Sequence, residues 1–341
     1  MKVTLLGLPQ AGQQQLFSLL TSIALDQIIQ KPLEARTGTC DVRDPRIVKL
    51  KEMFNPKKTT FARIEFLLLP DFDLRGPQKD LLISQIKNAD ELCFVVRSAN
   101  AEAEINNFLS ELIIYDLMLA EMRLHNIERE QRRKVTPENE KEKELFIRCK
   151  ALLDQEKPLR SENLDPDTLK SLRNYQFFTL KPLVIAVNLP ENELKDSQIA
   201  KDLRNKFGLP AVQLSAEIEA EISQLNAAEQ AEYMREVGID EPAINKVSCL
   251  TFEGLGLISF FTVGEDEVRA WPIRKGATAQ DAGSAIHSDI AKGFVRAEMM
   301  DYNDFIAAGS EAKLKETGKF YLKGRDYIVA DGDILSFRFN V

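Results

Sequence analysis

The 341-residue sequence is poor in the residues that build metal sites and disulfide frameworks. It holds only two histidines and four cysteines, and the cysteines lie far apart, at Cys40, Cys93, Cys149 and Cys249. Because no C-x-x-C pair occurs, the spacing excludes a zinc knuckle and indicates no disulfide framework. We therefore expect a reduced, cytoplasmic protein without a histidine-rich metal site.

Long apolar runs and an excess of positive charge are also missing. No stretch of roughly 18 apolar residues occurs, so no membrane span is predicted. The first apolar run is broken by Gly7 and Pro9 and is shorter than a signal peptide requires. The 45 lysines and arginines are outnumbered by 53 aspartates and glutamates, which gives a net charge of −8. We expect neither membrane nor DNA as a partner, and any RNA contact must come from a local basic patch.

Apolar, strand-like runs alternate with helical stretches over the first two-thirds of the chain. The expected strands are residues 2–6, 61–69, 91–97, 183–187 and 211–214. Helices are expected at residues 16–23, 44–54 and 81–87. Strand and helix in alternation predict an α/β fold, with a mostly parallel sheet covered by helices on both faces.

Two regions break this alternation. Residues 101–176 are charged and helix-forming, and Pro137 marks a break between two helices, which predicts an antiparallel helical hairpin. In the last quarter, residues 327–329 and 334–339 flank the sequence Asp331-Gly332-Asp333, a pattern typical of strand, tight turn and strand. We therefore expect a small mixed domain at the C-terminal end of the sequence.

The first predicted strand ends in a phosphate-loop pattern that lacks its two chemical groups. Gly7 and Gly12 match the glycines of G-x-x-x-x-G-K-[ST], between a strand and a helix. Gln13 stands where lysine contacts the phosphates, and Gln14 where a hydroxyl holds Mg²⁺. A neutral amide does not supply the charge on which phosphoryl transfer depends. An ordinary strand-to-helix turn explains this half-motif equally well.

Motifs along the whole chain resemble the YchF/Obg-like ATPase family of P-loop proteins. They are Gly7-Leu8-Pro9, Thr37-Gly38, Asp44-Pro45-Arg46, and residues 178–182, 260–264, 285–289, 292–298 and 326–329. The resemblance implies a P-loop GTPase-like domain at residues 1–100 and 177–268, a helical hairpin inserted at 101–176, and a β-grasp (ubiquitin-like TGS) domain at 269–341. It also implies ATP in preference to GTP, with Mg²⁺, and association with ribosomes.

The departures from the family pattern fall where the chemistry belongs. The family's Mg²⁺ positions fall on Gln14 and Pro32, and its D-x-A-G motif falls on residues 68–71. Of its base-recognition motif N-V-N-E, this chain keeps Asn188 and Glu191. The residues that would still form a degenerate nucleotide site are Gln10, Ala11, Gly12, Gln13, Gln14, Gln15, Asn188, Leu189, Glu191 and Ser215.

These losses predict a pseudo-NTPase without catalytic residues or a metal site. Its function would be that of a binding or regulatory scaffold on a ribosome, or on a translation-related protein or RNA, with weak or no binding of ATP or GTP. One alternative is a slow YchF-type ATPase in which Gln13 and a displaced Asp71 or Asp73 substitute for the missing groups. Another is a regulator that competes with an intact family member for its ribosomal site.

A basic cluster lies near the tip of the predicted hairpin, at Arg129, Arg132, Arg133 and Lys134. Neutralisation of phosphates supplies most of the non-specific affinity for nucleic acid, so one interpretation is a contact with ribosomal RNA. The other interpretation is a solvent-exposed helix end, where positive side chains interact favourably with the helix dipole.

Overall fold

The computed structural model describes residues 1–194, 198–239 and 241–340. The chain folds into a mixed α/β structure with two six-stranded sheets. Contacts divide it into two compact units, one of Met1–Gly38 with Phe66–Ala243 and the other of Thr39–Glu65 with Ile244–Val341. Among the described residues, no helix is both long and apolar enough to cross a membrane.

The strands alternate with helices along most of the chain. The strands are β1 (Lys2–Gly7), β2 (Arg36–Val42), β3 (Lys58–Thr60), β4 (Ala62–Leu68), β5 (Glu91–Arg97), β6 (Leu183–Asn188), β7 (Ala211–Leu214), β8 (Leu257–Thr262), β9 (Glu267–Arg274), β10 (Phe294–Met300), β11 (Tyr321–Lys323) and β12 (Ile334–Phe339). The helices are α1 (Gln13–Thr21), α2 (Leu25–Ile29), α3 (Pro45–Phe54), α4 (Lys79–Asn88), α5 (Ala101–Gln131), α6 (Pro137–Leu153), α7 (Pro166–Leu172), α8 (Ile199–Phe207), α9 (Ala216–Gln224), α10 (Ala227–Val237), α11 (Ala243–Gly254), α12 (Ala279–Ile286), α13 (Ser288–Lys292), α14 (Tyr302–Ala308) and α15 (Glu311–Glu316).

The first sheet has the strand order β2-β4-β1-β5-β6-β7. Its central pairs β1–β5, β5–β6 and β6–β7 are all parallel. Leu92, Phe94 and Val96 of β5 pack into a core with Phe108 of α5. A strand buried on both faces reads as a continuous apolar run, as β5 and β6 do. The predicted α/β fold with a mostly parallel sheet is confirmed.

The predicted hairpin corresponds to α5, which has 31 residues, and α6, which has 17. Pro137 occupies the first turn of α6, where its missing N–H costs nothing, and Thr136 caps that helix by accepting from the Asn139 amide. Asp116 ties α5 to the segment before β6, since its carboxylate accepts from the amides of Phe178 and Thr179 at 2.8 and 2.7 Å. Burial raises the pKa of Asp116 to about 6.

The second sheet has the strand order β11-β10-β12-β8-β9-β3. Strand β8 is parallel to β12 and antiparallel to β9. The expected strand at residues 327–329 is wrong. Ile328 forms a single bridge to Thr278, and Val329 donates instead to the Ala277 carbonyl at 3.0 Å. The division into three domains and the TGS identification stay predictions.

Arg46 organises a charged network within the second unit. Its guanidinium donates to Asp44 at 2.7 Å and to Asp331 at 2.8 Å, and it stacks over the ring of Phe261. Gly332 has φ +96°, a conformation that favours glycine, and a Cβ there would lie 2.9 Å from Arg46 Nη1, so a larger residue would also displace the guanidinium. This network thus joins the motifs at residues 44–46 and 331–333. Arg46 and Asp331 are 285 positions apart in the sequence.

Candidate nucleotide site

The segment between β1 and α1 has the backbone of a tight, phosphate-loop-like turn. Gln10 and Gly12 both have left-handed conformations, with φ of 67° and 96°. The amide of Ala11 donates to the Leu8 carbonyl at 3.0 Å, and Leu16 donates to the Gly12 carbonyl at 3.0 Å to begin α1. The predicted order of strand, loop and helix is therefore present, and the loop places Gln13 at the first position of the helix.

The Gln13 side chain is directed back into the protein. It is 3% exposed, and its Nε2 donates to Asp71 Oδ1 at 2.6 Å. A Cβ added to Gly7 would lie 2.7 Å from Gln13 Oε1, so the side chain covers the end of β1 at a point where only glycine leaves room. The amide at the lysine position is thus engaged within the protein.

Asp71 reaches Gln13 because the chain after β4 is held against the end of β1. The Phe72 amide donates to the Gly7 carbonyl at 2.8 Å, and Leu69 donates to the Leu5 carbonyl at 3.1 Å. Asp73 instead caps its own turn by accepting from the Arg75 amide at 2.8 Å. Of the two displaced carboxylates considered from the sequence, the structure brings Asp71 to the phosphate loop.

Asn188 joins the phosphate loop to the loop after β7. Its Nδ2 donates to the Ala11 carbonyl at 3.1 Å, and its Oδ1 accepts from the Ala216 amide at 3.0 Å. A Cβ on Gly12 would lie 2.3 Å from Asn188 Nδ2, so this approach again requires glycine. Ser215, beside Ala216, is 2% exposed, and its hydroxyl has no hydrogen-bond partner among the described residues.

The other predicted site residues are more dispersed. Leu189 is buried and donates to the Leu214 carbonyl at 2.8 Å. Glu191 is exposed and lines an open cavity of about 570 Å³ together with Tyr233 of α10. A hydrogen bond to Glu221 raises the pKa of Tyr233 to about 12. Tyr233 could not be predicted from the sequence, because nothing in the pattern places α10 beside the base-recognition segment.

The two positions of the family's Mg²⁺ ligands do not fit the ion in this chain. Gln14 is half-buried and offers one neutral amide oxygen, and Pro32 is exposed and has no side-chain donor atom. Mg²⁺ is held mainly by carboxylates, hydroxyls and phosphate oxygens in near-octahedral geometry. Gln10 and Gln15 are exposed, and each carries a neutral amide.

The basic cluster lies at the end of α5 and in the turn before α6. All four side chains, Arg129, Arg132, Arg133 and Lys134, are exposed. The neighbouring Arg123 is instead paired with Glu142 and Glu130 at 2.6 and 2.9 Å. Within residues 1–194, 198–239 and 241–340, the four cations of the cluster take part in no ion pair, so their charge faces solvent.

Several curated proteins similar in sequence to this chain carry the name YchF. The family model for the C-terminal part of YchF GTPases, described as a protein of unknown function (DUF933), matches residues 257–340. The chain is 34% identical to the ribosome-binding ATPase YchF of Pasteurella multocida, with 100% of this chain and 99% of that protein covered. It is 32% identical to the protein of the same name from Bacillus subtilis, covering 99% and 98%.

A solved structure agrees with these sequence matches. The YchF GTPase of Schizosaccharomyces pombe superposes with a TM-score of 0.85, covering 99% of this chain and 97% of that one, at 22% identity. At this identity the likeness shows the fold, including the P-loop GTPase-like sheet and the C-terminal sheet domain.

Proposed function

Because this chain belongs to the YchF family, we propose that it is a ribosome-associated binding or regulatory scaffold that does not hydrolyse nucleotide. Relatives at 31–34% identity carry the name ribosome-binding ATPase. The proposed association with ribosomes rests on the names of those relatives. The proposed absence of turnover rests on Gln13. The observation that carries the proposal is the hydrogen bond from Gln13 to Asp71 at the lysine position.

The chemistry of this hydrogen bond opposes phosphoryl transfer. A lysine would place a full positive charge on the phosphates, whereas Gln13 is neutral and already donates to a carboxylate. A single preorganised donor typically supplies ~3–4 kcal/mol of transition-state stabilisation. Asp71 in addition places a negative charge beside the loop, which repels a phosphate anion. Together with the poor Mg²⁺ positions, these features favour loss of turnover.

The base end of the site supports residual nucleotide binding. Asn188 remains hydrogen-bonded to the phosphate loop and to the loop after β7, so the surrounding backbone keeps its form. Weak affinity for ATP or GTP through backbone amides is compatible with this arrangement. The second candidate function, a slow ATPase, is favoured by one observation only: Asp71 stands at the phosphate loop, where a carboxylate could orient water.

Calorimetric titration with ATP and with GTP, each with Mg²⁺, tests the proposal. We expect a dissociation constant above about 1 mM, which corresponds to a binding free energy weaker than about −4 kcal/mol. The double variant Gln13→Lys/Gln14→Ser should gain at least tenfold in affinity, and adding Asp71→Asn should raise it further, because Asp71 would otherwise pair with the new lysine. Gln15→Lys adds the same charge at an exposed position and serves as the control. Micromolar binding with turnover by the natural sequence would establish the slow ATPase instead.

Ribosome co-sedimentation tests the other half of the proposal and the predicted RNA contact. We expect the protein to sediment with ribosomes without nucleotide. Replacing the four cations of the basic cluster by glutamine should weaken this association and its dependence on salt, since fewer phosphates are neutralised. Lys170→Gln with Lys313→Gln removes exposed charge elsewhere and should have little effect. If the protein stays in the supernatant at low salt, ribosome association is refuted.

A further inference from the structure

Three apolar side chains lie exposed along the outer side of α5. Ile114, Met118 and Met122 are 53%, 65% and 61% exposed. Residues four apart in a helix lie on the same side, so the three form one row about 12 Å long. The outer side of a surface helix is normally polar. This row therefore calls for a partner that covers it.

The row faces away from the rest of the hairpin. Ile113 and Ala120 of α5 are buried in the core that contains Phe146 and Cys149 of α6. At about 100° per residue, these two positions point about 140–160° away from Met118. The three side chains thus lie on the side of α5 away from α6, and more than half of each is exposed.

The charges along the same side of α5 are unequal at its two ends. Glu111, before the row, pairs with Arg75 at 3.3 Å, and Glu121, beside it, pairs with Lys150 at 3.0 Å. Beyond the row, Arg129 lies about 20° from Met118 around the helix axis, and Arg132 follows one turn later. Because both arginines are unpaired within the described chain, the row ends in net positive charge.

We propose that the α5 outer face, defined as Ile114, Met118, Met122, Arg129 and Arg132, binds an amphipathic helix of a protein partner. The apolar side of that helix covers the isoleucine and the two methionines, and acidic residues in its first turn lie beside the two arginines. An antiparallel arrangement achieves this, since it puts the N-terminus of the partner helix, where acidic residues are favourable, at the C-terminal end of α5.

The chemistry of the face favours a protein over a nucleic acid. Methionine side chains are flexible and polarisable, and they suit helix-binding surfaces that adapt to their partner. A phosphate backbone would neutralise the arginines but leave the three apolar side chains in water. The inference assigns Arg129 and Arg132 to the protein partner, which leaves Arg133 and Lys134 of the basic cluster for the predicted RNA contact. It goes beyond the proposed function, because it holds whether or not the protein associates with ribosomes.

Fluorescence anisotropy with the full-length protein and a labelled synthetic peptide tests the proposal. The probe is an 18-residue amphipathic helix with leucine at every third or fourth position and glutamate in its first turn. We expect saturable binding that Met118→Gln/Met122→Gln weakens at least tenfold. Arg129→Gln/Arg132→Gln should weaken it several-fold, and should have no such effect on a second peptide with lysine in place of the glutamates.

The matched control is Ile147→Gln, which removes an apolar side chain of similar exposure, 50%, from α6 and should leave binding unchanged. Equal binding by the methionine variant, or no saturable binding of either peptide, overturns the proposal. Stronger binding of an RNA hairpin or of anionic phospholipid vesicles that is equally sensitive to the methionines also overturns it. Failure to sediment with ribosomes refutes the proposed function alone and does not bear on this result.

Discussion

The two ends of the candidate nucleotide site are held together in different ways. At the base end, Asn188 bonds to two backbone groups of two different loops. At the phosphate end, the Gln13 side chain donates one hydrogen bond, to the carboxylate of the exposed residue Asp71. A side chain that satisfies backbone groups is required by the fold itself. A side chain whose partner is a ligand can be replaced without loss of the fold, and the position that matches the motif lysine is Gln13 in this chain.

The largest effect that we expect is a dependence of folding stability on pH. It determines the pH at which variants at the two ends can be compared. Glu91 of β5 lies opposite Val3 of β1 and is fully buried, and its carboxylate has no hydrogen-bond partner among the described residues. Burial raises the pKa of Glu91 to about 9. Because the folded protein holds this proton more tightly than the unfolded chain, stability should be full below about pH 4.5. It should fall as pH rises towards 9, by at most about 1.4 kcal/mol per pH unit.

Urea unfolding of the wild type and of Glu91→Gln at several pH values measures this effect. Between pH 5.5 and 8.5 the natural sequence should lose about 4 kcal/mol of unfolding free energy. The Glu91→Gln variant should show a much flatter profile across that interval. Parallel profiles for the two proteins would assign the pH dependence to another group.

Gly12→Ala should break the connection between the two ends. Alanine there requires an unfavourable φ of +96° and a Cβ only 2.3 Å from Asn188 Nδ2, so Asn188 must move and lose its hydrogen bonds. We expect a cost of about 3 kcal/mol in urea unfolding. In an Asn188→Ala background the clash is gone, and the same substitution should cost only about 1 kcal/mol. Additive costs in the double variant would contradict this contact.

Asn188→Ala alone should be the next largest effect. It leaves the Ala11 carbonyl and the Ala216 amide without their partner, for which we expect about 2 kcal/mol. Asn188→Asp is the conservative comparison, because it keeps the acceptor for Ala216 and loses only the donor to Ala11. If Asn188→Ala lost less unfolding free energy than Gln13→Ala, the phosphate end would contribute more to stability than the base end, contrary to our expectation.

Gln13→Ala should have the smallest effect, about 1 kcal/mol. It removes a single hydrogen bond to the carboxylate of an exposed residue, and Asp71 then regains water. Thermal unfolding by circular dichroism, with Gln15→Ala as an exposed neighbour for control, is sufficient to detect it. A loss well above that of Asn188→Ala would show that the phosphate end is structurally required.

The regular elements could be predicted wherever one run of apolar residues has a clear start and stop. Strand β5 was predicted to the residue, since Asp90 and Ser98 flank its apolar run. Residues 327–329 have the same β-prone composition, yet their partners are Thr278 and Ala277 rather than β12. Composition favours an extended backbone, and it does not specify which distant segment supplies the hydrogen bonds.

The sequence predicted which residues belong to the candidate site, and it did not predict which of them contact each other. The phosphate-loop spacing predicted the order of strand, loop and helix around Gly12 and Gln13, which the structure has. Asn188 was proposed as a site residue from its motif. The sequence offered Asp71 and Asp73 as equivalent carboxylates. The choice between them depends on the backbone hydrogen bond from Phe72 to Gly7, which holds the chain after β4 in place. No sequence pattern indicates that hydrogen bond. Contacts of this kind follow from strand neighbours that only the folded chain establishes.

The network around Arg46 has a consequence for how the molecule can be divided. The second unit contains β3 and α3, which come from residues 39–65, and the ion pair between Arg46 and Asp331 joins that segment to the C-terminal one. A fragment beginning at residue 244 would leave the edge of β9 without β3 and Asp331 without its guanidinium. No single cut of the gene can therefore yield this unit intact; expressing it alone requires residues 39–65 and 244–341 to be joined by a designed linker.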